Sequence, residues 1–397
     1  MNNYSEIHNP GIADFELLRP SAVTYMPHSA EFGSRWSTYG SSSGWTSEVA
    51  ATALGEHLER KHFYLDIPIH DTGPMGKTLT PEECGAFSKA FAQTSSQISI
   101  DTIENHAFDL TRAFRITDLT PCKIPTACIS LTHSKNNIDN AIYPARDTCG
   151  CSVHLTLEAA ILGAMKESFE RQFLLRFWLT KTYTEKIEYD QACELLKQSR
   201  SLPLLQQLQS SGNLSILDLT DNRFPGSCIL LCYGNAQQGY VRVRYCAGMA
   251  YGDTRCSALE KSIIELWQTF RFMQSYNEKE KITDPYLRHF MNCNKYETFQ
   301  RIINTRQSLP STPPQSVTEH LTAKNLIDAA RTHGINGYLY LNHITTTHKM
   351  LFFCKYISPN LFMHMNNASG LNINNHYSAA FLKEVIESQL NDMVPFP

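Results

Sequence analysis

The chain has 397 residues, of which 42% are hydrophobic and 18% charged, and its formal net charge is −3 at pH 7. This composition is typical of a globular chain with a sizeable core and excludes a disordered or fibrous protein. No run of Lys or Arg is present, which excludes nucleic acid and an anionic membrane as partners. Because the sequence has no signal pattern and no long apolar stretch, we expect a soluble, cytoplasmic protein.

Residues 1–35 contain several prolines and little periodicity, which predicts an irregular segment. After the polar stretch Gly40-Ser-Ser-Ser-Gly44, the run from Val49 to Tyr64 has the spacing of a helix. Phe63 to Ile69 has the composition of a short strand. The beginning of the chain therefore predicts a polar turn that leads into a helix.

The sequence Gly76-Lys77-Thr78 resembles part of a phosphate loop. Such a loop requires another glycine five residues before Gly76, and that position is Asp71. The next helix signal begins only at Thr80, too late to place Lys77 at a helix N-terminus. We therefore exclude a phosphate-loop nucleotide site.

The rest of the chain alternates unevenly between helices and strands. Helices are predicted at 80–95, 191–212, 257–276 and 326–332, and strands at 113–116, 124–131, 214–219, 228–233, 240–245, 337–341 and 349–357. A motif region with long and strong apolar spacing extends from 150 to 179. The uneven order favours an α+β (mixed α/β) fold over a doubly wound sheet. Twelve cysteines are scattered without a repeated Cys-x2-Cys pair, so we expect free core thiols.

One pattern occurs three times. The segments Glu56-x-x-Glu59-Arg60, Glu167-x-x-Glu170-Arg171 and Glu265-x-x-Gln268 each lie in an apolar helical run that follows a segment rich in Ser, Thr and Gly. Positions i and i+3 of a helix share one face, so each pair points in one direction. A carboxylate such as that of Glu265, among large apolar neighbours, is costly to bury unless a cation meets it.

Five acidic side chains in one cavity require cations, because like charges repel. Such hard oxygen ligands suit Mg²⁺, which commonly binds carboxylates together with substrate phosphates. The segments before the helices, around 41–43, Ser152 and 254–257, supply hydroxyl and N–H groups for phosphate oxygens, and the planar fork of Arg171 suits phosphate as well. The alternative is that these are ordinary exposed helix charges, but three copies in equally apolar helices favour a functional site.

These motifs, with Gly150-Cys-Ser152 and a proline-containing end, resemble those of the YcaO family of ATP-dependent peptide-backbone enzymes. The segments 288–297, 364–375 and 393–397 resemble the cyclodehydratase subunits of microcin-B-type synthetases. The resemblance implies a YcaO-type fold in which three motif helices line one ATP and Mg²⁺ cavity against mixed sheets. It also implies a single catalytic domain, 1–397, that is divided into an ATP/Mg motif core at 36–275, a C-terminal portion at 276–390 and a tail at 391–397.

The resemblance also assigns roles to individual residues. The implied Mg²⁺ ligands are Glu56, Glu59, Glu167, Glu170 and Glu265, and the implied ATP or phosphate contacts are Ser152, Arg171, Lys261, Glu265 and Gln268. The tail supplies the implied catalytic residues, the Pro397 carboxylate as a base together with Pro395. Two positions depart from the family pattern, because Lys261 replaces a frequent Arg and Ala159 replaces a frequent acidic residue.

The implied reaction is ATP-dependent cyclodehydration of Cys, Ser or Thr in a ribosomally made precursor peptide, giving thiazoline or oxazoline rings. The expected partners are this peptide, an E1-like subunit that docks its leader and an FMN-dependent dehydrogenase, together forming a synthetase of microcin-like antibiotics. Two alternatives remain open. One is related chemistry on the same scaffold, amidine macrocyclisation or thioamide formation, and the other is a non-catalytic scaffold subunit.

Overall fold

The computed structural model describes residues 15–19, 26–33, 39–95, 98–237, 242–275, 285–307, 320–345, 350–367 and 370–395. The strands in these ranges are β1 (Phe15–Arg19), β2 (His28–Gly33), β3 (Tyr39–Gly44), β4 (Asp71–Gly73), β5 (Phe108–Arg115), β6 (Pro121–Pro125), β7 (Cys151–His154), β8 (Thr182–Tyr183), β9 (Glu185–Lys186), β10 (Asn213–Asp218), β11 (Ser227–Gly234), β12 (Tyr245–Gly252), β13 (Arg306–Gln307), β14 (Tyr338–Thr345) and β15 (Met350–Ile357). The helices are α1 (Glu48–Leu65), α2 (Pro81–Thr94), α3 (Ile100–Asn105), α4 (Asn137–Ile142), α5 (Leu157–Thr180), α6 (Tyr189–Leu195), α7 (Leu202–Ser211), α8 (Arg255–Ser275), α9 (Pro285–Asn292), α10 (Tyr296–Ile303) and α11 (Ala323–Thr332). This mixture confirms the predicted α+β class.

The described strands form four sheets. One contains β1, β2 and β3, a second has the order β12-β11-β10-β9, and a third has the order β4-β5-β14-β15-β7 with β6 paired to β5. β8 and β13 form a parallel pair. In these sheets β3, β7 and β12 each lie at an edge, where a strand presents unpaired backbone N–H and C=O groups.

Each of these edge strands leads directly into a motif helix: β3 into α1, β7 into α5 and β12 into α8. Each strand also packs against a second motif helix, so that β3 lies between α1 and α8, β7 between α5 and α1, and β12 between α8 and α5. The threefold pattern of the sequence therefore corresponds to three strand–helix units in a cyclic arrangement. The motif helices face a common recess between them.

Glycines permit the close packing of strand on helix. A Cβ atom at Gly40 would lie 2.2 Å from the backbone of α1, and one at Gly248 would lie 2.2 Å from the backbone of α8. In the middle unit the helix supplies the glycine, because a Cβ atom at Gly163 of α5 would lie 2.3 Å from the Ser152 Oγ of β7. A side chain at any of these positions would push the helix away from its strand.

Helix α5 passes through the largest hydrophobic cluster. Phe169, Phe173 and Trp178 are inaccessible to solvent and pack in the cluster that also contains residues of β11, β12, β15 and α11. The buried amide of Gln172 accepts a hydrogen bond from the Phe362 N–H at 2.8 Å and donates one to the Phe362 carbonyl at 3.1 Å. The helix that carries the second motif is therefore fixed on its other faces by the core.

The first part of the chain differs from its sequence-based prediction. The segment 1–35, predicted to be irregular, contains β1 and β2, and alternate residues Ala30 and Phe32 of β2 are buried in a cluster with α1. The stretch Gly40–Gly44 is strand β3 rather than a turn, because its small residues fit between two helices. No strand occurs in the described segment 63–69, since burial of Phe63 continues α1 to Leu65.

Later elements also differ. The segment 124–131, predicted as a strand, contains only the end of β6 and then a short helical turn at Thr126–Cys128. The helix predicted at 191–212 is divided into α6 and α7, which are separated by a turn. The strand predicted at 240–245 is wrong at 242–244, which are irregular, while residues 240 and 241 lie outside the described residues. The strand of this region is β12, which begins at Tyr245 and ends at Gly252; its Ala and Gly residues have weak strand propensity but are buried on both faces. All twelve cysteines are free thiols, as predicted. No helix within the described ranges has both the length and the apolar character required to span a membrane.

The packing of α1 on the six-stranded sheet predicts a pH-dependent stability. His62 is buried, stacks on Phe353 with 4.1 Å between ring centroids, and has its Nε2 3.0 Å from the Tyr340 hydroxyl. Burial lowers the pKa of His62 from about 6.5 to about 4. Between about pH 6.5 and 4 the unfolded chain binds a proton at this imidazole, whereas the folded chain does not. The unfolding free energy therefore falls by up to about 3 kcal/mol as the pH falls from 6.5 to 4.

We expect His62→Phe to reduce the dependence of the unfolding free energy on pH between about 6.5 and 4, as measured by urea unfolding. The matched control is His133→Gln, because the His133 side chain is exposed in the folded chain, as it is in the unfolded chain. Identical pH profiles for wild type and His62→Phe would contradict the prediction.

A second prediction concerns the contact of β12 with α8. In Gly248→Ala the new Cβ would meet backbone atoms that have no freedom to rotate away, so we expect a loss of about 2 kcal/mol or more in unfolding free energy. Gly85→Ala is the control, because no heavy atom lies within 4 Å of its added Cβ inside α2, and it should stabilise by about 0.5–1 kcal/mol. Thermal or urea unfolding measures both, and equal stabilities would refute the proposed close contact.

Candidate active site

The outer edge of β12 forms the first part of the site. Glu170 of α5 accepts a hydrogen bond from the Tyr251 backbone N–H at 2.6 Å, and Glu265 of α8 accepts one from the Met249 backbone N–H. Backbone N–H groups two residues apart in a strand point to the same edge. Two carboxylates that come from opposite faces of β12 therefore meet at this edge.

The two carboxylates interact unfavourably with each other. Enclosure by protein raises the pKa of Glu265 to about 8, with a further contribution from repulsion by Glu170, and burial raises the pKa of Glu170 to about 7. The Glu265 side chain is nevertheless exposed to solvent, although its neighbours Ile263 and Leu266 are buried. Glu265 therefore lies among buried apolar neighbours, as its sequence context indicates, and still keeps contact with solvent.

The first motif uses the edge of β3 in the same way. Glu56 accepts a hydrogen bond from the Ser41 backbone N–H at 2.9 Å, and its other oxygen lies 3.3 Å from Arg60. Arg60 also pairs with Glu59 at 3.2 Å. The Gln268 amide of α8 donates a hydrogen bond to the Ser41 hydroxyl. The first and third motifs therefore meet at Ser41.

The second motif faces the first. Glu167 accepts hydrogen bonds from Arg171 at 3.0 and 3.1 Å. Burial raises the pKa of Glu59 to about 8, and the negative charges of Glu167 and Glu56 add to this effect. The predicted carboxylates are thus brought into the same recess, but Arg60 and Arg171 are held there by ion pairs.

The structure adds one residue that the sequence analysis missed. Lys166 lies within hydrogen-bonding reach of Lys261, and its positive charge lowers the pKa of Lys261. Both lysines act on Glu170 and Glu265, and both lower the pKa of His154, in addition to the effect of its partial burial. Lys166 stands four residues before Glu170 just as Lys261 stands four before Glu265, and this shared spacing was the available signal.

Two adjacent ammonium groups favour an anion beside them, since the anion removes their mutual repulsion. Ser152, which is buried, places its hydroxyl against Gly163 of α5, where His154 also approaches. This side of the recess therefore fits the phosphate oxygens of a nucleotide.

The arrangement of carboxylates can be tested against Mg²⁺. Within the described ranges, no three His, Cys, Asp or Glu side chains lie close enough together to hold one metal ion. The carboxylates instead repel each other along a series, in which Glu59 interacts with Glu56 and Glu167, Glu167 with Glu170, and Glu170 with Glu265. Mg²⁺ commonly takes one or two protein carboxylates and completes its shell with waters and substrate phosphates. The residues therefore fit Mg²⁺ that binds with a nucleotide, and the five-ligand set stays a prediction.

The tail contacts the protein at the far end of α5. Trp178 Nε1 donates a hydrogen bond to the Asp392 carbonyl at 2.5 Å, and His289 Nε2 lies 2.9 Å from the Val394 carbonyl. Pro395 is buried and is the last described residue, whereas Pro397 lies outside the described residues. The catalytic role of the tail stays a prediction.

Paired carboxylates beside paired lysines define a site for a phosphate-bearing nucleotide with Mg²⁺, built on three strand–helix units. The model of a family described as "YcaO cyclodehydratase, ATP-ad Mg2+-binding" matches residues 50–362. The chain therefore belongs to the YcaO cyclodehydratase family, whose members bind ATP and Mg²⁺.

Individual relatives agree with this assignment. The chain is 33% identical to the microcin B17-processing protein McbD of Escherichia coli over 367 residues, which cover 91% of this chain and 90% of that protein. Two structures of the E. coli microcin synthetase McbBCD complex, one with pro-MccB17 bound, match with a TM-score of 0.83, 31% identity and 96% coverage of both chains. A YcaO protein from Methanopyrus kandleri bound with AMPPCP and Mg²⁺ shares the fold, with a TM-score of 0.60, 14% identity and coverage of 90% of this chain and 88% of that one.

Proposed function

We propose that this chain is the cyclodehydratase subunit of a microcin-like synthetase, and that residues 1–397 work as one catalytic domain. It converts Cys, Ser or Thr residues of a ribosomally made precursor peptide into thiazoline or oxazoline rings at the expense of ATP. The observation that carries the proposal is the meeting of Glu170 and Glu265 with Lys166 and Lys261 at the edge of β12, where opposite charges suit Mg²⁺ and a triphosphate. The 33% sequence identity to McbD, a microcin B17-processing protein, supports a precursor peptide as the substrate.

The reaction follows from the chemistry of an amide. The side-chain thiol or hydroxyl of the precursor attacks the preceding backbone carbonyl carbon and gives its proton to a base. The resulting oxyanion is a poor leaving group, so it attacks the terminal phosphorus of ATP and ADP departs. Loss of phosphate, together with the amide proton, then leaves the carbon–nitrogen double bond of the ring. The peptide therefore loses one water molecule for each ring that forms.

Residues of the recess divide these tasks. Glu170 and Glu265, together with Glu56, Glu59 and Glu167, would hold the Mg²⁺ that binds with the nucleotide, with no more than two of these carboxylates on any one ion, and the ion would neutralise charge on the phosphate oxygens. The phosphate contacts come from Lys166, Lys261, Ser152 and Arg171, and Gln268 lines the same recess. Arg171 uses Nε and Nη2 on Glu167, so a phosphate contact would come from Nη1 or would replace part of this ion pair.

The partners and the compartment are proposed as well. The related McbD is a subunit of a complex named McbBCD, so we propose a leader-docking E1-like subunit and an FMN-dependent dehydrogenase beside this chain. The precursor is the third partner, as pro-MccB17 is in the solved complex. We place the reaction in the cytoplasm, because the twelve free thiols of this chain would persist in a reducing compartment.

The first test uses the carboxylates at the edge of β12. In Glu170→Gln and Glu265→Gln the amide oxygen still accepts a hydrogen bond from β12, but the charge that holds Mg²⁺ is gone. We expect the variants to fold and ring formation to fall about 100-fold or more. Intact-mass spectrometry of a precursor incubated with the complex, Mg²⁺ and ATP counts the waters lost.

The matched control is Glu194→Gln, which removes an exposed carboxylate that pairs with Lys197 on the surface. It should make rings at the wild-type rate. Wild-type turnover in both recess variants would refute the metal site. ATP consumption with a product in which sulfur has replaced an amide oxygen would favour thioamide chemistry, and loss of one water through an amine of the peptide in place of a Cys, Ser or Thr side chain would favour amidine macrocyclisation. Binding of partners without ATP turnover would favour a scaffold.

The second test concerns the chain end. Val394 is buried in the core, so a truncation that begins there would damage packing; removal of Phe396 and Pro397 alone is the sharper change. If the Pro397 carboxylate is the base, ring formation should fall about 100-fold or more while ATP affinity is unchanged. The measurement is the time course of water loss beside ATP titration. An unchanged time course would exclude a catalytic tail.

A further inference from the structure

Strand β7 has an outer edge that no other strand of the described residues covers. On its inner side it pairs with β15, and the Tyr356 N–H donates a hydrogen bond to the Gly150 carbonyl at 3.0 Å. Because bonded residues alternate along an antiparallel pair, Ser152 and His154 also bond to β15. The backbone N–H and C=O of Val153 therefore point to the outer edge.

The outer edge of β7 opens between two motif helices. The Val153 side chain lies on the side of α1, 3.8 Å from the place of a Cβ atom at Gly55. Ser152 and His154 lie on the side of α5, with side-chain atoms 2.3 and 3.1 Å from the place of a Cβ atom at Gly163. Since α1 and α5 cover opposite faces of the strand, the backbone groups at its edge are directed between them, toward the recess.

This edge differs from the edges of the other two strand–helix units. The outward N–H groups of β3 and β12 described above donate to glutamates of the motif helices. On β7, the outward N–H of Cys151 donates to the Thr148 carbonyl at 3.0 Å, while Glu59 and Glu167 form ion pairs with arginines of their own helices. Within the residues that the structure describes, no group accepts a hydrogen bond from the Val153 N–H and none donates one to its carbonyl.

The open groups of Val153 suit a peptide better than a phosphate. A backbone N–H and C=O without a protein partner are paired with water or with a ligand. A phosphate offers acceptor oxygens, which could use the N–H but not the C=O. One residue of an extended peptide offers a donor and an acceptor for both groups, as a strand does when it joins a sheet edge.

Apolar surface lies beside the same edge. Leu155, which follows β7 directly, is 55% exposed, and Leu157 at the start of α5 is 43% exposed. A peptide that pairs with the edge through its backbone directs its side chains to the two faces of the strand, where such surface can receive them. The edge therefore has the chemistry of a short docking site for an extended peptide.

Val153 also stands next to the part of the recess that fits phosphate. It is flanked by Ser152, whose hydroxyl lies in that part, and by His154, whose pKa both Lys166 and Lys261 lower in addition to burial. Transfer of a phosphoryl group requires the accepting oxygen and the terminal phosphate to be held side by side. A peptide docked at Val153 would have its backbone on the phosphate side of the recess.

We propose that the outer edge of β7 at Val153 docks the precursor peptide, one extended residue of which forms a two-bond backbone pair with Val153 close to the reacting carbonyl. The proposal rests on the proposed function, because the precursor is taken as the substrate. A pair made through the backbone holds the peptide without selecting its side chains, so the same edge can present Cys, Ser and Thr in different sequence contexts.

Hydrogen exchange of segment 151–154 in the wild-type complex tests the edge without a variant. The N–H groups of Cys151, Ser152 and His154 are already bonded, so binding of the precursor in the absence of ATP should add protection of about one amide, that of Val153. AMPPCP with Mg²⁺ should not protect this amide. No added protection in a complex that makes rings, or protection by AMPPCP with Mg²⁺ alone, would overturn the proposal.

Val153→Pro removes the N–H and leaves the C=O, and an edge strand tolerates proline where the N–H points outward. We expect kcat/KM for the precursor to fall about 10-fold, with KM for ATP and the unfolding temperature unchanged. Val153→Ala shortens the same side chain but keeps the N–H, so its loss should be smaller. The measurement is steady-state ring formation, followed by intact mass. A rise in KM for ATP with unchanged precursor kinetics would place the nucleotide at this edge and overturn the proposal.

The matched control is Lys186→Pro. Lys186 lies in β9, at the edge of another sheet, and its N–H points outward because the neighbouring Ile187 N–H bonds to the Ile216 carbonyl. Its exposed ion pair with Glu188 contributes little to stability. This variant should keep the wild-type kcat/KM, and an equal loss in Lys186→Pro and Val153→Pro would overturn a specific role of Val153.

Exchange and ring formation together separate the docking edge from the chemistry. If the wild-type complex makes no rings, the proposed function fails, and protection of Val153 by bound precursor still decides whether this edge docks a peptide. If rings form and Val153 gains no protection, the docking edge fails and the proposed function stands.

Discussion

Unpaired backbone N–H groups at the edges of β3 and β12 are the constraint on which the site depends. A strand edge packed between two helices has no neighbouring strand to accept these N–H groups, and leaving a donor unpaired there costs free energy. Glutamates of the motif helices accept them at Ser41, Met249 and Tyr251. The interactions that complete two sheet edges therefore also direct the carboxylates into the recess. Fold and site share the same hydrogen bonds.

The charges in the recess are balanced only in part by the protein. Glu170 and Glu265 repel each other, and so do Lys166 and Lys261, although each lysine also attracts the carboxylates. A nucleotide with Mg²⁺ supplies the opposite charge to both pairs at once. The close glycine contacts at Gly40 and Gly248 keep the helices from relaxing this repulsion by moving apart from their strands. The packing therefore maintains a repulsion between like charges that a bound nucleotide with Mg²⁺ relieves, and this relief favours binding.

The uneven alternation of helices and strands predicted the mixed fold, and the repeated Glu-x-x-(Glu/Gln) pattern predicted the three motif helices, because i and i+3 spacing is local. The stretch that forms β3 was predicted as a turn, since its Gly and Ser residues satisfy a packing requirement that only the assembled helices impose. Lys166 was missed because its partner Lys261 is distant in sequence. The exposure of Glu265 depends on the shape of the recess, and the hydrogen bond from Trp178 to the Asp392 carbonyl involves a backbone atom, so neither could be predicted from residue type.

The capped strand edges also bear on how the protein avoids association with itself. An open edge is a template on which a strand of another molecule adds, and β12 is eight residues long and buried on both faces, the kind of segment that forms intermolecular sheets when exposed. The Glu170 and Glu265 carboxyl groups accept hydrogen bonds from its outward N–H groups, so these donors are not open to a strand of another molecule. The glutamates proposed for chemistry thus also act as gatekeepers against aggregation, which gives a folding reason to retain acidic residues there in addition to the catalytic one.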